Sequence, residues 1–420
     1  MTSKPLNCRR AITLHRPVRE GYVFLELVRT IKRMDQAYGI LILYEVGLLI
    51  ILSSAASELF KRLRLPGLIG AILVGVFIGG PGGVGLVTDL TVISILGTLG
   101  SVLILFTIGL EFDASAFWKA GKGAFLVTTF GMAASVFLGY LVGWAMGWPD
   151  MASFLLGVVI APSGTSAIAV LLSSEGKVES RTGSTLITAC VIDDVEGVIL
   201  LTIALGVAAQ GALRPAEIAK IGSVSVLFIL GTIYAGGRLL PTLISRSEKI
   251  LSDEGLFAVL LGLGMILAFA ASKIGLAAIT GAFIMGAIIP YRKIGEKIAH
   301  RLLLTKEIFA AIFFTSIGLS IDPTSIAGIL PTAALLIVIA ISARLIGGAA
   351  GAALSGFRGK ALTTVIVGLA IRAEMSLIIA RESASAGIVG SDFITLTATV
   401  VIGSMTISLP LLTRLVRSIP

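Results

Sequence analysis

Charge is what this sequence has least of. Only 14% of its 420 residues are Asp, Glu, Lys or Arg, against 56% hydrophobic. Soluble domains carry about 25% charged residues, so a soluble globular protein is excluded, and the mean hydropathy of +1.02 marks a polytopic membrane chain. The net charge of +9 would suggest nucleic acid in a soluble protein; here it belongs to loops on one side of a bilayer, and no nucleic-acid partner is expected. Cysteine is almost absent. Cys8 and Cys190 cannot build a disulfide framework, and Cys190 reads as a small buried residue. Both histidines, His15 and His300, fall outside the apolar runs. No metal-ligand spacing, nucleophile elbow or phosphate-binding glycine loop occurs, so the chain is not read as an enzyme and no cofactor is expected. Membrane spans use up the length, which leaves no room for a soluble catalytic domain.

Glycine, by contrast, is plentiful at 49 residues. Small residues let membrane helices approach closely, and they permit breaks in helices that face protein rather than lipid. Residues 1–38 form a basic tail with Arg9, Arg10, Arg16, Arg19, Arg29, Lys32 and Arg33. It lacks the apolar core of a signal peptide. A short amphipathic helix is expected over Tyr22–Met34; the tail is either a start-site artefact, with Met34 as the true start, or a segment whose first span is exempt from the positive-inside rule. Residues 39–418 form the transmembrane domain. About thirteen apolar spans are expected, near 40–60, 66–80, 90–111, 123–147, 151–173, 184–209, 219–243, 255–272, 275–290, 303–320, 328–355, 361–386 and 393–417. Loops after odd-numbered spans hold Lys61, Arg62, Lys119, Lys177, Arg181, Arg292, Arg358 and Lys360, while those after even-numbered spans hold little beyond Arg214 and Lys273. The positive-inside rule makes the odd side, and the C-terminus with Arg414 and Arg417, cytoplasmic.

The sixth span carries Asp193, Asp194 and Glu196 in the run CVIDDVEGVIL. A carboxylate at membrane depth costs about 2.5–3.5 kcal/mol even on the lenient insertion scale. Acids so placed mark an ion or proton site, the alternative being a salt-bridge cluster that only locks helices together. Two patterns recur: IGLEFD at Ile108–Asp113 with IGLSID at Ile317–Asp322, and GAILVG at Gly70–Gly75 with GAFIMG at Gly281–Gly286. Their offsets, 209 and 211 residues, equal an odd number of spans, so the second copy is expected upside down. Inverted repeats place a transporter's site near the midplane, where discontinuous helices meet. Span five, GVVIAPSGTSAIAV, should break at Pro162 and Gly164, with Ser163, Thr165 and Ser166 offering oxygens to a cation. Its symmetry mate, span twelve, carries Arg372 and Glu374 but no proline, so its break is expected from symmetry alone.

Arg344 in span eleven must find an acid, because an unpaired Arg in lipid is costly. It is expected to hold one aspartate of the pair ionised, leaving the other to choose between a proton and a hard cation such as Na⁺. A packing salt bridge is the alternative for Arg344, and a pair that ties span twelve in place is the alternative for Arg372 and Glu374.

With RLRLPGLIGAILVGVFIGG, LILFTIGLEFD, APSGTSAIAV, VIDDVEG, GAFIMGAIIP, FFTSIGLSID and RAEMSLIIA in this order, the chain resembles the monovalent cation/proton antiporter superfamily over residues 40–418, and within it the sodium/proton antiporters with an Asp-Asp motif. The resemblance implies an all-α fold with two discontinuous helices crossing in the core, a homodimer, and a mobile ion-binding core that moves like an elevator beside a scaffold. Carried over by position, Asp194 binds Na⁺ or H⁺, Asp193 pairs with Arg344, and Thr165 and Ser166 sit at the broken crossing. The sequence departs from the family in three places. Arg344 stands where Lys is usual, and a guanidinium does not release its proton, which leaves stoichiometry open. Glu196 takes a commonly aliphatic position and is expected to pair with Arg372. Ile371-Arg372-Ala373-Glu374 replaces a Pro-Arg-Gly-Glu-like segment. The function expected is exchange of Na⁺ or Li⁺ for H⁺ across the cytoplasmic membrane. The alternatives are K⁺/H⁺ exchange and sodium-coupled symport of an organic anion.

Overall fold

A computed structural model describes residues 18–63, 65–79, 83–87, 90–111, 121–178, 180–208, 215–247, 250–273, 276–289, 295–355 and 358–418. Among them every regular element is a helix. The expected tail lies outside the described residues as far as residue 17. From Val18 it is helical, because α1 runs without interruption over Val18–Arg62. The separate short helix expected at Tyr22–Met34 is therefore the start of a longer one that continues through the first span. Asp113, which closes the first recurring motif, also lies outside the described residues.

The chain divides into two compact units, Met1–Leu48 and Leu49–Pro420. The first contributes the leading part of α1. The second holds α2 (Gly67–Ile78), α3 (Leu90–Glu111), α4 (Gly121–Ala145), α5 (Asp150–Val159), α6 (Thr165–Ser174), α7 (Arg181–Ala208), α8 (Pro215–Ser247) and α9 (Asp253–Lys273). It continues with α10 (Ala278–Ile288), α11 (Gly295–Leu319), α12 (Ile326–Ser355), α13 (Lys360–Leu369), α14 (Glu374–Ser385) and α15 (Ser391–Arg417). Each expected span is occupied by a helix, or, at the fifth and twelfth, by a pair of half-helices. Among the described residues, 7 helical stretches are long and apolar enough to cross a membrane. α2 and α10 are short, 12 and 11 residues, or about 18 and 16.5 Å at 1.5 Å per residue. α10 is buried from Ile279 to Gly286, as a helix apolar on every side should be.

Within the second unit the helices form two groups that pack mainly among themselves. One comprises α2, α3, α9, α10 and α11, the other α4 to α7 and α12 to α15, and α8 touches both, through α10 and α7. In the first group the recurring motifs pack crosswise. Gly75 of GAILVG lies on Thr315 and Gly318 of α11, while Gly286 of GAFIMG lies on Phe106 and Leu110 of α3, with no room for a Cβ at either glycine. The Thr315 hydroxyl donates to the Ala71 carbonyl across the α2–α11 contact at 3.1 Å.

The second group is organised by two interruptions. α5 ends at Val159 and α6 begins at Thr165; Pro162 between them has no N–H to continue the ladder. α13 ends at Leu369 and α14 begins at Glu374, so span twelve breaks without a proline. Tertiary bonds replace the helical ones there. The Arg372 N–H donates to Ser404 Oγ of α15 at 3.3 Å, and the Ile371 carbonyl accepts the Gly164 N–H at 2.8 Å. That last bond joins the two breaks, which cross with Gly164 packed on Ala373 too closely for a side chain.

Candidate ion-binding site at the helix crossing

A broken helix exposes carbonyls at one half-helix end and N–H groups at the other, and burial makes each of them costly unless partnered. Arginines serve the carbonyl ends and also reach carbonyls within α4 and α12. Arg344 of α12 donates from Nε to the Ala161 carbonyl at 3.1 Å and from Nη1 to the Thr128 carbonyl at 3.2 Å, and its Nη2 also bonds Ala161. Arg372 donates to the carbonyls of Leu369 at 2.8 Å, Ala340 at 2.8 Å and Pro162 at 3.3 Å. Positive charge at the C-terminal ends of α5 and α13 also opposes their helix dipoles.

Carboxylates serve the other ends. Glu374, the first residue of α14, accepts the Ser166 N–H at 2.9 Å and the Ser166 hydroxyl at 2.6 Å, placing negative charge at the N-terminus of α6. Asp193 accepts the Ser163 N–H at 2.5 Å and pairs with Arg344 Nη2 at 2.5 Å. Arg344 is 1% and Asp193 0% exposed, so this ion pair escapes solvent screening. Asp194, equally buried, accepts the Thr165 hydroxyl at 2.8 Å.

Thr165 connects the aspartate to solvent-accessible space. A cavity of about 870 Å³ lies between α1, α2, α3 and α11 on one side and α6 and α14 on the other. It runs from Lys61 and Glu307, which pair at 3.8 Å, to Thr165, Ser166 and Glu374. Lys61 and Glu307, at one end of it, are exposed to solvent. A cation entering it meets hydroxyl and carboxylate oxygens at the crossing, with Asp194 one hydroxyl further in. Hard monovalent cations favour such oxygen donors.

The structure thus brings Asp193, Asp194, Ser163, Thr165, Arg344, Arg372 and Glu374 together, as the sequence leads one to expect, but not always in the expected pairings. The Arg344–Asp193 pair forms. The pairing expected between Glu196 and Arg372 does not, and neither does a tie between Arg372 and Glu374: Arg372 holds carbonyls, and Glu374 holds Ser166. Ser166 therefore turns to Glu374, and Ser163 meets Asp193 through its backbone. Glu196 lies one turn along α7 from Asp193 and on the face away from Asp194, and accepts the Thr129 hydroxyl of α4. It floors an apolar groove of about 540 Å³ walled by Met132, Val136, Phe137, Phe154 and Leu200.

Sequence reading missed the backbone acceptors at Thr128 and Ala161, which no side-chain pattern marks. It also passed over Arg381 and Glu382 in IIARES. Their signal was present, since both continue the apolar run of span twelve. Arg381 is 6% exposed.

Interrupted helices that cross beside buried acids, with a cavity leading to them, define a multi-pass membrane transporter for a small charged substrate. Residues 48–417 match the family described as sodium/hydrogen exchanger, transmembrane. The chain belongs to this family, and it is a cation/proton antiporter rather than an enzyme. The Na(+)/H(+) antiporter of Enterococcus hirae is 27% identical over 362 residues, covering 86% of this chain and 94% of that one. The Na(+)/H(+)-K(+) antiporter GerN of Bacillus cereus is 27% identical over 371 residues, 88% and 95% of the two chains. The K(+)/H(+) antiporter subunit KhtU of Bacillus subtilis (strain 168) is 25% identical over 358 residues, 83% and 87%. The fold is similar to that of the sodium proton antiporter MjNhaP1 from Methanocaldococcus jannaschii, with a TM-score of 0.71 at 15% identity, covering 91% of this chain and 99% of that one.

Proposed function

We propose that the chain exchanges Na⁺ or Li⁺ for H⁺ across the cytoplasmic membrane, with Asp194 as the residue at which cation and proton compete. The observation that carries this reading is the Thr165 hydroxyl, which lines the cavity and donates to the Asp194 carboxylate at 2.8 Å. Asp193 is committed to Arg344 and the Ser163 N–H, and Glu374 to Ser166. At high pH Asp194 is ionised and takes a cation; at low pH a proton displaces it. Na⁺ and H⁺ are cargo, and the reading needs no resident cofactor.

Alternating access follows if the group holding the crossing moves against the α2–α3–α9–α10–α11 group only when Asp194 is neutralised, because an empty charged site resists passage through an apolar barrier. The elevator movement, the homodimer, the inverted repeat and a cytoplasmic C-terminus belong to the same reading. Arg344 fixes one charge permanently, so its proton takes no part in the exchange. K⁺ in place of Na⁺ is the second reading, favoured by the relatives GerN and KhtU, whose names include K⁺.

The test is a pH-dye assay in proteoliposomes with an acid interior, adding Na⁺, Li⁺ or K⁺ outside. The first reading expects dequenching by Na⁺ and Li⁺; a response to K⁺ alone would replace it with the second. Silence with all three cations over a wide pH range would refute both.

A further inference from the structure

We infer that Arg381 is a positioning residue of the transport cycle: it holds the ion-binding helices against α3 and α11 on the side opposite the cavity, and it must leave its seat each time the site turns toward that side. The inference rests on the moving-core reading above and adds the contact that keeps one side shut.

Arg381 lies seven residues beyond Glu374 on α14, about 10 Å along the helix axis and away from the cavity mouth. Its seat is formed by the other helix group. Nη1 bonds Ser316 Oγ of α11. Nη2 donates to the Ser94 carbonyl of α3 at 2.9 Å and to Ser94 Oγ at 3.2 Å, and the guanidinium stands 5.6 Å from the centroid of the Phe313 ring. One turn along α3, Gly97 leaves the space the guanidinium fills: a Cβ there would strike both the Arg381 Nη2 and the Ser316 hydroxyl.

Two features distinguish this contact from packing alone. First, among the described residues no carboxylate of the facing group lies within ion-pairing distance of Arg381. A seat of serine oxygens, one carbonyl and a ring binds a guanidinium, yet releases it far more readily than a buried ion pair would. Second, the same two helix groups are apart on the other side. There the cavity separates α6 and α14 from α1, α2, α3 and α11 all the way from Lys61 and Glu307 to Ser166. Contact at one end and a gap at the other describe one state of a two-state pair, and the contact that breaks on interconversion sets the balance between the states.

The experiment uses the full chain in proteoliposomes, with Cys8→Ser and a reporter cysteine at Val170, which lines the cavity and takes no part in the site. A membrane-impermeant maleimide is applied from the side of the basic loops. Ser94→Ala with Ser316→Ala removes both hydroxyls of the seat from the facing group without touching α14, and Arg381→Gln removes the guanidinium from the other. Both are expected to slow Val170→Cys labelling at least threefold as molecules leave the cavity-open state. Arg381→Lys, which keeps a donor of the same charge, is expected to restore part of the rate. Labelling unchanged in both the double serine variant and Arg381→Gln, each eluting as folded protein, would overturn the inference. Labelling needs no exchange, so a parent that labels but exchanges no cation would sink the function proposed above while the seat variants still decide the role of Arg381.

Discussion

Removing the Arg344 guanidinium leaves Asp193 with the Ser163 N–H but no counter-charge and takes a donor from the carbonyls of Ala161 and Thr128. All of this happens where solvent cannot compensate, since Arg344 is 1% and Asp193 0% exposed. Breaking a buried pair by deleting one partner costs about 3–5 kcal/mol, mostly because the other charge is stranded. Arg344→Ala should therefore lower stability by about that amount, and Asp193→Ala similarly. Removing both strands no charge, so the double variant should be less damaged than the sum of the singles by about 2–3 kcal/mol. Arg344→Lys should fall between wild type and Arg344→Ala, because an ammonium can meet Asp193 but lacks the fork that also holds Ala161 and Thr128. The assay is denaturation of purified protein in detergent, read as a double-mutant cycle. Strict additivity of Arg344→Ala and Asp193→Ala would refute the pairing.

The remaining predictions concern the neighbours of that pair. Thr165→Val removes the hydroxyl between cavity and aspartate, worth about 1–1.5 kcal/mol, so the Na⁺ concentration for half-maximal exchange should rise roughly tenfold with little change in maximal rate. Glu374→Gln weakens the clamp on Ser166 at the N-terminus of α6, and thermal denaturation should show a loss of about 1–3 kcal/mol. Glu196→Leu deletes a carboxylate whose partner is a lone hydroxyl beside an apolar groove; unfolding assays should show equal or higher stability, with exchange retained within about threefold. A large loss of exchange in that variant would mean Glu196 belongs to the transport route.

Most of the fold was readable because lipid is a simple solvent: the long spans announce themselves by apolar length, and acids stand out against it. Asp193, Asp194 and Arg344 were legible for that reason, and Pro162 marked its own break. The second break was not. Ile371, Arg372 and Ala373 carry no local signal against helix, and their conformation is held by Ser404 and by the Gly164 N–H, so only the repeat hinted at it. Pairing was harder still. Which acid an arginine meets depends on where two crossing chains leave their carbonyls, and Arg372 finds Leu369, Ala340 and Pro162 rather than Glu196 or Glu374. Sequence shows that charges need partners; here the partners were often backbone.

The central claim is that one carboxylate, Asp194, holds the cation and the proton in turn. The measurement that tests it most directly is the Na⁺ dependence of exchange in proteoliposomes from about pH 6 to 9, for wild type and Asp194→Asn. Competition at a single carboxylate predicts a half-maximal Na⁺ concentration that rises about tenfold per pH unit on the acid side, and no exchange in Asp194→Asn at any pH despite normal folding. Exchange surviving in Asp194→Asn with its pH dependence intact would contradict the account.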